Sequence, residues 1–153
     1  MSTKRSERMG IVQKVVDDAE RRRAQALAAS ERQVTESEAK LAELEAYQNN
    51  YIREFNARAG SGMNAASARD YQVFLARLGE ALRQQSQAVT RAKAQRDSAR
   101  RNWQGAAQRA DAIEHVVKRW GAEEQREVDR LEQQASDEFA QRSWSNGKNP
   151  LGS

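Results

Sequence analysis

Cysteine is absent from this 153-residue chain, which excludes disulfides and thiolate metal sites and gives no sign of an oxidising compartment. Proline occurs once, at Pro150, so almost nothing breaks a helix over long stretches. The one histidine, His115, has no second ligand of its type, which leaves a zinc or histidine-based catalytic site without its components. Apolar runs are short. No segment approaches the roughly 20 apolar residues that cross a bilayer, and MSTKRSERMGIVQKVVDD has no long apolar core, so the expected location is the cytoplasm. Core-forming material is scarcest of all, at 38% hydrophobic and 6% aromatic against 31% charged. Such a composition suits long helices that each bury one stripe. It would also suit a disordered chain, but disorder usually brings proline and lacks the periodicity that follows.

Apolar residues recur at three- and four-residue steps from about 11 to 58, a stretch free of proline and glycine. Val12, Val16 and Ala19 open a stripe, and Leu27, Val34, Leu41, Leu44, Tyr51 and Phe55 continue it after a one-residue phase slip near Ala26. The second run, about 67 to 142, carries a clearer ladder from Tyr71, Leu75, Leu78 and Leu82 to Ile113, Val117 and Trp120. Gln85 and Arg96 interrupt it, and past Trp120 the phase shifts to Val128 and Leu131. Sustained heptads specify a partner helix. Between the runs, Gly60 or Gly62 can end a helix and Ser67 with Asp70 resembles a capping box. A short link between two amphipathic helices makes them antiparallel neighbours. The expected fold is therefore all-α, a long antiparallel two-helix coiled coil. It comprises a basic extension over 1–10, helix one at 11–58, a turn at 59–66, helix two at 67–142 and a disordered tail at 143–153. If partners across the hairpin have numbers summing to roughly 126, helix two overhangs, and residues 1–10 can cover part of the overhang by extending helix one.

Charge divides by segment: residues 69–110 carry 9 basic and 3 acidic groups, whereas residues 111–141 carry 4 and 9. The basic block of Arg77, Arg83, Arg91, Lys93, Arg96, Arg100 and Arg101 admits a nucleic-acid footprint. The register instead sets it against Glu31, Glu36, Glu38, Glu43 and Glu45 of helix one, which would answer the field internally, so no nucleic acid is expected. The acidic overhang, with Val117 and Trp120, is the better docking surface for a basic partner. Gly60-Ser61-Gly62 lacks the Gly-Lys-Ser/Thr ending of a nucleotide-binding loop. A helical hairpin also offers no closed pocket in which to tune carboxylates, so no catalytic residue, cofactor or metal is assigned.

Five of the six Tyr and Phe residues lie between Tyr47 and Leu75, around the turn. Tyr51, Phe55 and Tyr71 fall on the seam stripes, while Tyr47 and Phe74 lie beside them. A two-helix seam needs only two positions per heptad, so the extra rings suit a partner-binding patch, although an internal core at the tip remains open.

At these residues the chain resembles the bacterial flagellar export protein FliJ. The resemblance rests on YQNNY at 47–51, AGSGM at 59–63, YQVFLARLGEAL at 71–82 and DEFAQR at 137–142, and covers about Gly10 to Arg142. It implies a non-catalytic stalk and adaptor similar to the central stalk of rotary ATPases. Such a protein inserts its terminal end into the hexameric flagellar export ATPase and contacts the cytoplasmic domain of the export gate's large membrane subunit. It also interacts with export chaperones. It would sit in the cytoplasm at the flagellar base, reaching the inner membrane only through partners. Carried over by motif, the gate-binding patch comprises Leu44, Tyr47, Tyr51, Phe74, Leu78 and Ala81. Lys40 and Gln85 stand at its outer positions, where they depart from the family's glutamine and histidine. For the ATPase end the resemblance points to about 9–16 and 117–142, with Val12, Val16, Val117, Trp120, Leu131 and Phe139 as candidates. An injectisome stalk is the alternative within the same class. A nucleic-acid-binding coiled coil is the alternative of another class.

Overall fold

A computed structural model describes residues 4–147, which form two α-helices, α1 over Arg5–Gly60 and α2 over Ala65–Gly147. The described residues contain no strand, and the two helices pack against each other as an all-α helical hairpin. Both helices run further than expected. Residues 5–10, read as an extension, are the start of α1, and residues 143–147, read as tail, end α2. Neither stretch contains a proline, and Gly10 alone costs a helix only about 1 kcal/mol. Residues 148–153 of the expected tail lie outside the described residues.

Contacts divide the chain into two compact units, one of Ala19–Ala106 and one built from the residues up to Asp18 and from Ala107. The first unit contains the turn. Gly62 has φ +94°, the left-handed backbone that glycine adopts without steric cost, and its N–H donates to the Ala59 carbonyl at 3.4 Å. The cap of α2 differs from the expected one: Asn64 Oδ1 accepts the Ser67 N–H at 2.8 Å. Asn64 is thus the N-cap and Ser67 the third helical residue, one of the donors that a cap serves.

The seam of this unit is built from regular heptads. On α1, Glu20, Leu27, Val34, Leu41, Gln48 and Phe55 recur every seven residues, partnered by Ser30, Ser37, Leu44 and Tyr51, and all are half-buried or buried. The slip near Ala26 is therefore absent, and the seam position belongs to polar Glu20. A carboxylate is tolerated there because Trp103 Nε1 donates to Glu20 Oε1 at 2.7 Å. On α2 the expected ladder is present, with Tyr71, Leu78, Val89, Ala92 and Ala106 buried. Gln85, an apparent interruption, donates from Nε2 to the Ser37 carbonyl at 2.9 Å and so fits the seam.

Charges across this seam answer one another less than expected. Lys93 pairs with Glu38 at 3.3 Å, but Arg83 pairs with Glu80 on its own helix and Arg96 with neighbouring Asp97. No other member of the basic block has an ion pair with α1 among the described residues. Most of those side chains sit on outward heptad positions, from which they cannot reach across.

In the second unit, Met9, Gln13 and Val16 are half-buried whereas Ile11, Val12 and Val15 are exposed, so Val12 lies outside the stripe first assigned to it. The Arg5 guanidinium lies 4.6 Å from the Trp120 ring centroid and pairs with Glu123. Ser6 donates its hydroxyl to Glu124 Oε2 and its N–H to Oε1 at 3.2 Å. These contacts hold the first turn of α1 against α2. From Asp129 to Gly147 every residue of α2 is exposed.

Candidate functional site

The aromatic rings at the turn form one cluster whose hub is Tyr51. Its ring centroid lies 4.3 Å from Phe74, 4.9 Å from Tyr71 and 6.2 Å from Tyr47. Tyr71 also meets Phe55 at 5.4 Å and lies under the Arg58 guanidinium. Burial, and then the neighbouring Tyr71 phenol, raise the Tyr51 phenol above its ordinary value, so the ring stays neutral. Phe74, placed beside the seam by its sequence position, is half-buried against Tyr51 and belongs to this cluster as much as to the surface. Tyr47 touches the cluster only by its edge: 6.1 Å from Phe74 and 52% exposed.

Beside Tyr47 an open cleft of about 600 Å³ runs between the helices, lined by Lys40, Leu44, Tyr47, Ala81 and Gln85 together with Glu43 and Gln84. Five of the eight residues that the resemblance assigns to the gate-binding patch are thus brought together. Leu78 is buried in the seam, and Tyr51 supports the patch from beneath. Glu43 and Gln84 were missed because they lie one position outside the rows that hydrophobic periodicity marks; a heptad wheel of both helices would find them. Ile52 and Val73 are also exposed near the turn and belong to neither seam nor cleft.

At the other candidate region, Val16, Val117 and Trp120 are half-buried, with Trp120 under Arg5, whereas Val12, Leu131 and Phe139 are exposed. Ile11 and Val15, more exposed than Val12, widen that apolar surface. Among the described residues no cluster of metal-ligating side chains occurs, and no helix is long and apolar enough to cross a membrane.

Two paired amphipathic helices with a partly open cleft between them define a helical-hairpin protein. The family described as Flagellar FliJ protein matches residues 5–149. A Flagellar FliJ protein from Salmonella typhi is 31% identical over 133 residues, which cover 87% of this chain and 88% of the relative. No solved structure matches. The chain belongs to the flagellar FliJ family and is a component of flagellar protein export.

Proposed function

We propose that this protein is a non-catalytic stalk and adaptor at the flagellar base, joining the hexameric export ATPase to the cytoplasmic domain of the export gate and to export chaperones. It reaches the inner membrane through those partners alone. The observation that carries the gate contact is the convergence of Lys40, Leu44, Tyr47, Ala81 and Gln85 on one cleft, with Tyr47 half in water at its edge. An amphipathic ring poised this way loses little entropy on docking and buries a large area, the character of an interface anchor. The exposed Val12, Leu131 and Phe139 and the half-buried Val16, Val117 and Trp120 are assigned to the ATPase ring. An asymmetric coiled coil inside a symmetric ring can bias one subunit's state over another's, which is the coupling such a stalk supplies. The test is direct: the purified protein should bind a cognate export ATPase and stimulate its assembly or hydrolysis. Absence of both with an active ATPase refutes the stalk role.

One observation favours the nucleic-acid reading. Arg77, Arg91, Arg100 and Arg101 have no ion-pair partner among the described residues, so the positive field is answered less than the sequence suggested. Binding of duplex or single-stranded DNA that weakens steeply between 50 and 200 mM salt, as counterion release requires, would support it.

A further inference from the structure

The two sides of the hairpin are not alike. On one side Lys93 and Glu38 close the seam with an ion pair. On the other, α2 presents Ala81, Ala88, Gln95 and Asn102 at seven-residue intervals, an uncharged row where coiled coils usually carry charge. The gate cleft opens on this side. A second cleft of about 400 Å³, lined by Gln33, Glu36, Ser37, Lys40, Gln85 and Ala88, continues it and shares Lys40 and Gln85 with it. Together they make one groove from Tyr47 to Gln33, fourteen residues of α1, or about 21 Å at 1.5 Å per residue.

The rows that flank this groove carry opposite charge, with the cation of Lys40 inside it between them. Glu36 and Glu43, seven residues apart, line the α1 side. Gln84 lines the α2 side, and Arg77 and Arg91 stand seven residues before and after it, on the same row of the helix. Glu36, Glu43, Arg77 and Arg91 have no ion-pair partner among the described residues. A groove lined by Ser37, Ala81 and Ala88 beside Lys40, flanked by acidic residues on one helix and basic residues on the other at seven-residue intervals, is complementary to an α-helix that repeats its own flanking charges at that interval.

We propose that this groove seats an amphipathic helix of about four turns from the partner that docks at Tyr47. That helix has a stripe of small and aliphatic residues, cations on the flank facing Glu36 and Glu43, and carboxylates on the flank facing Arg77 and Arg91. The proposal rests on the gate-docking reading and extends it from a patch at the turn to a three-helix arrangement along the hairpin.

The test uses the full chain and the purified cytoplasmic domain of the export gate as probe. Four variants are compared: Tyr47→Ala, Ala88→Trp, Glu36→Lys with Glu43→Lys, and Arg77→Glu with Arg91→Glu. The charge reversals are on exposed positions and should keep wild-type helicity by circular dichroism. Each of the four should weaken binding about tenfold or more, as loss of complementary charge or blocking of a groove does. Hydrogen exchange should show one contiguous helical stretch of the gate domain protected on binding. Wild-type affinity in Ala88→Trp and both reversals, with loss only in Tyr47→Ala, overturns the helical occupant and leaves the docking patch standing. Unchanged affinity in Tyr47→Ala overturns the docking reading itself. Self-association of the wild type that the reversals abolish identifies a second copy of this chain as the occupant and overturns the proposal.

Discussion

Truncating Tyr47 and truncating Tyr51 should have opposite consequences, although the two rings are four residues apart on the same helix. Tyr47 is 52% exposed, and its two ring contacts, at 6.2 and 6.1 Å, lie near the outer limit of useful aromatic pairing. Its removal forgoes about 1 kcal/mol, since each such contact contributes little and half the ring was never taken from water. Tyr51 touches three rings, two of them at 4.3 and 4.9 Å. Its removal leaves a hole at the hub and should cost about 3 kcal/mol, toward the low end for aromatic truncation because the residue is only half-buried. Against a total stability of about 5–15 kcal/mol, Tyr47→Ala stays folded with a melting temperature lower by only a few degrees. If Tyr47 anchors the gate, the same substitution should cost at least 2 kcal/mol of binding, about thirtyfold in Kd. The measurements are urea unfolding followed by circular dichroism and calorimetric titration against the gate's cytoplasmic domain. Equal destabilisation by the two substitutions refutes the reasoning, because it would make Tyr47 a core residue despite its exposure.

Gly62→Ala should destabilise by about 1 kcal/mol or more, since φ +94° strains any residue with a Cβ; Gly60→Ala, at a helical position facing open space, should be neutral or mildly stabilising in the same urea melts. Glu20→Ala should cost about 1–2 kcal/mol by stranding the Trp103 indole N–H, and Glu20→Leu with Trp103→Phe should recover most of that loss, because removing both partners leaves nothing unsatisfied. The hydrogen bond from Ser6 holds the Glu124 carboxyl below its ordinary value of 4.5. A depressed folded value adds stability that is complete above the ordinary value and is lost as pH falls through the lowered one. The first turn of α1 should therefore stay docked at neutral pH and release in acid. The Ser6 amide shift in NMR should titrate with a midpoint under 4.5, and Glu124→Gln should remove that titration.

Helix two was legible because its seam is apolar. Tyr71, Leu78, Val89, Ala92 and Ala106 announce the heptad, and they are the buried residues of that helix. Helix one misled where the seam turns polar. Val12 and Ala19 suggested a shifted stripe, but Gln13 and Glu20 hold the positions, and nothing in hydrophobic periodicity can register a carboxylate that an indole satisfies from across the seam. The cap was misplaced for a related reason. Asn64 and Ser67 are both competent N-caps by type, and only backbone geometry chooses between them. Charge pairing failed more broadly, since a register in sequence numbers brings residues level without saying which way they point. Tyr47 was recognised as lying beside the seam, whereas Glu43 and Gln84 became visible only once both helices lined a common cleft.

The register that builds this cleft is held by few residues. Ala92, Ala99 and Ala106 occupy equivalent seam positions seven apart, so at these positions a slip of one heptad would exchange alanine for alanine. The contacts that would not survive are particular ones. Trp103 would leave Glu20 for Gln13 or Leu27, and in the slip that brings Leu27 to Trp103, Gln85 would leave the carbonyl exposed by small Ser37 for bulky Leu44. The short link of residues 61–64 adds a topological constraint, because a slip requires about two turns of helix to unwind beside a capped end. Lys40, Tyr47, Ala81 and Gln85 come from different helices and line one cleft only in the observed register. The polar seam residues that weaken the core thereby specify the surface, the role best attested for buried polar groups in coiled coils.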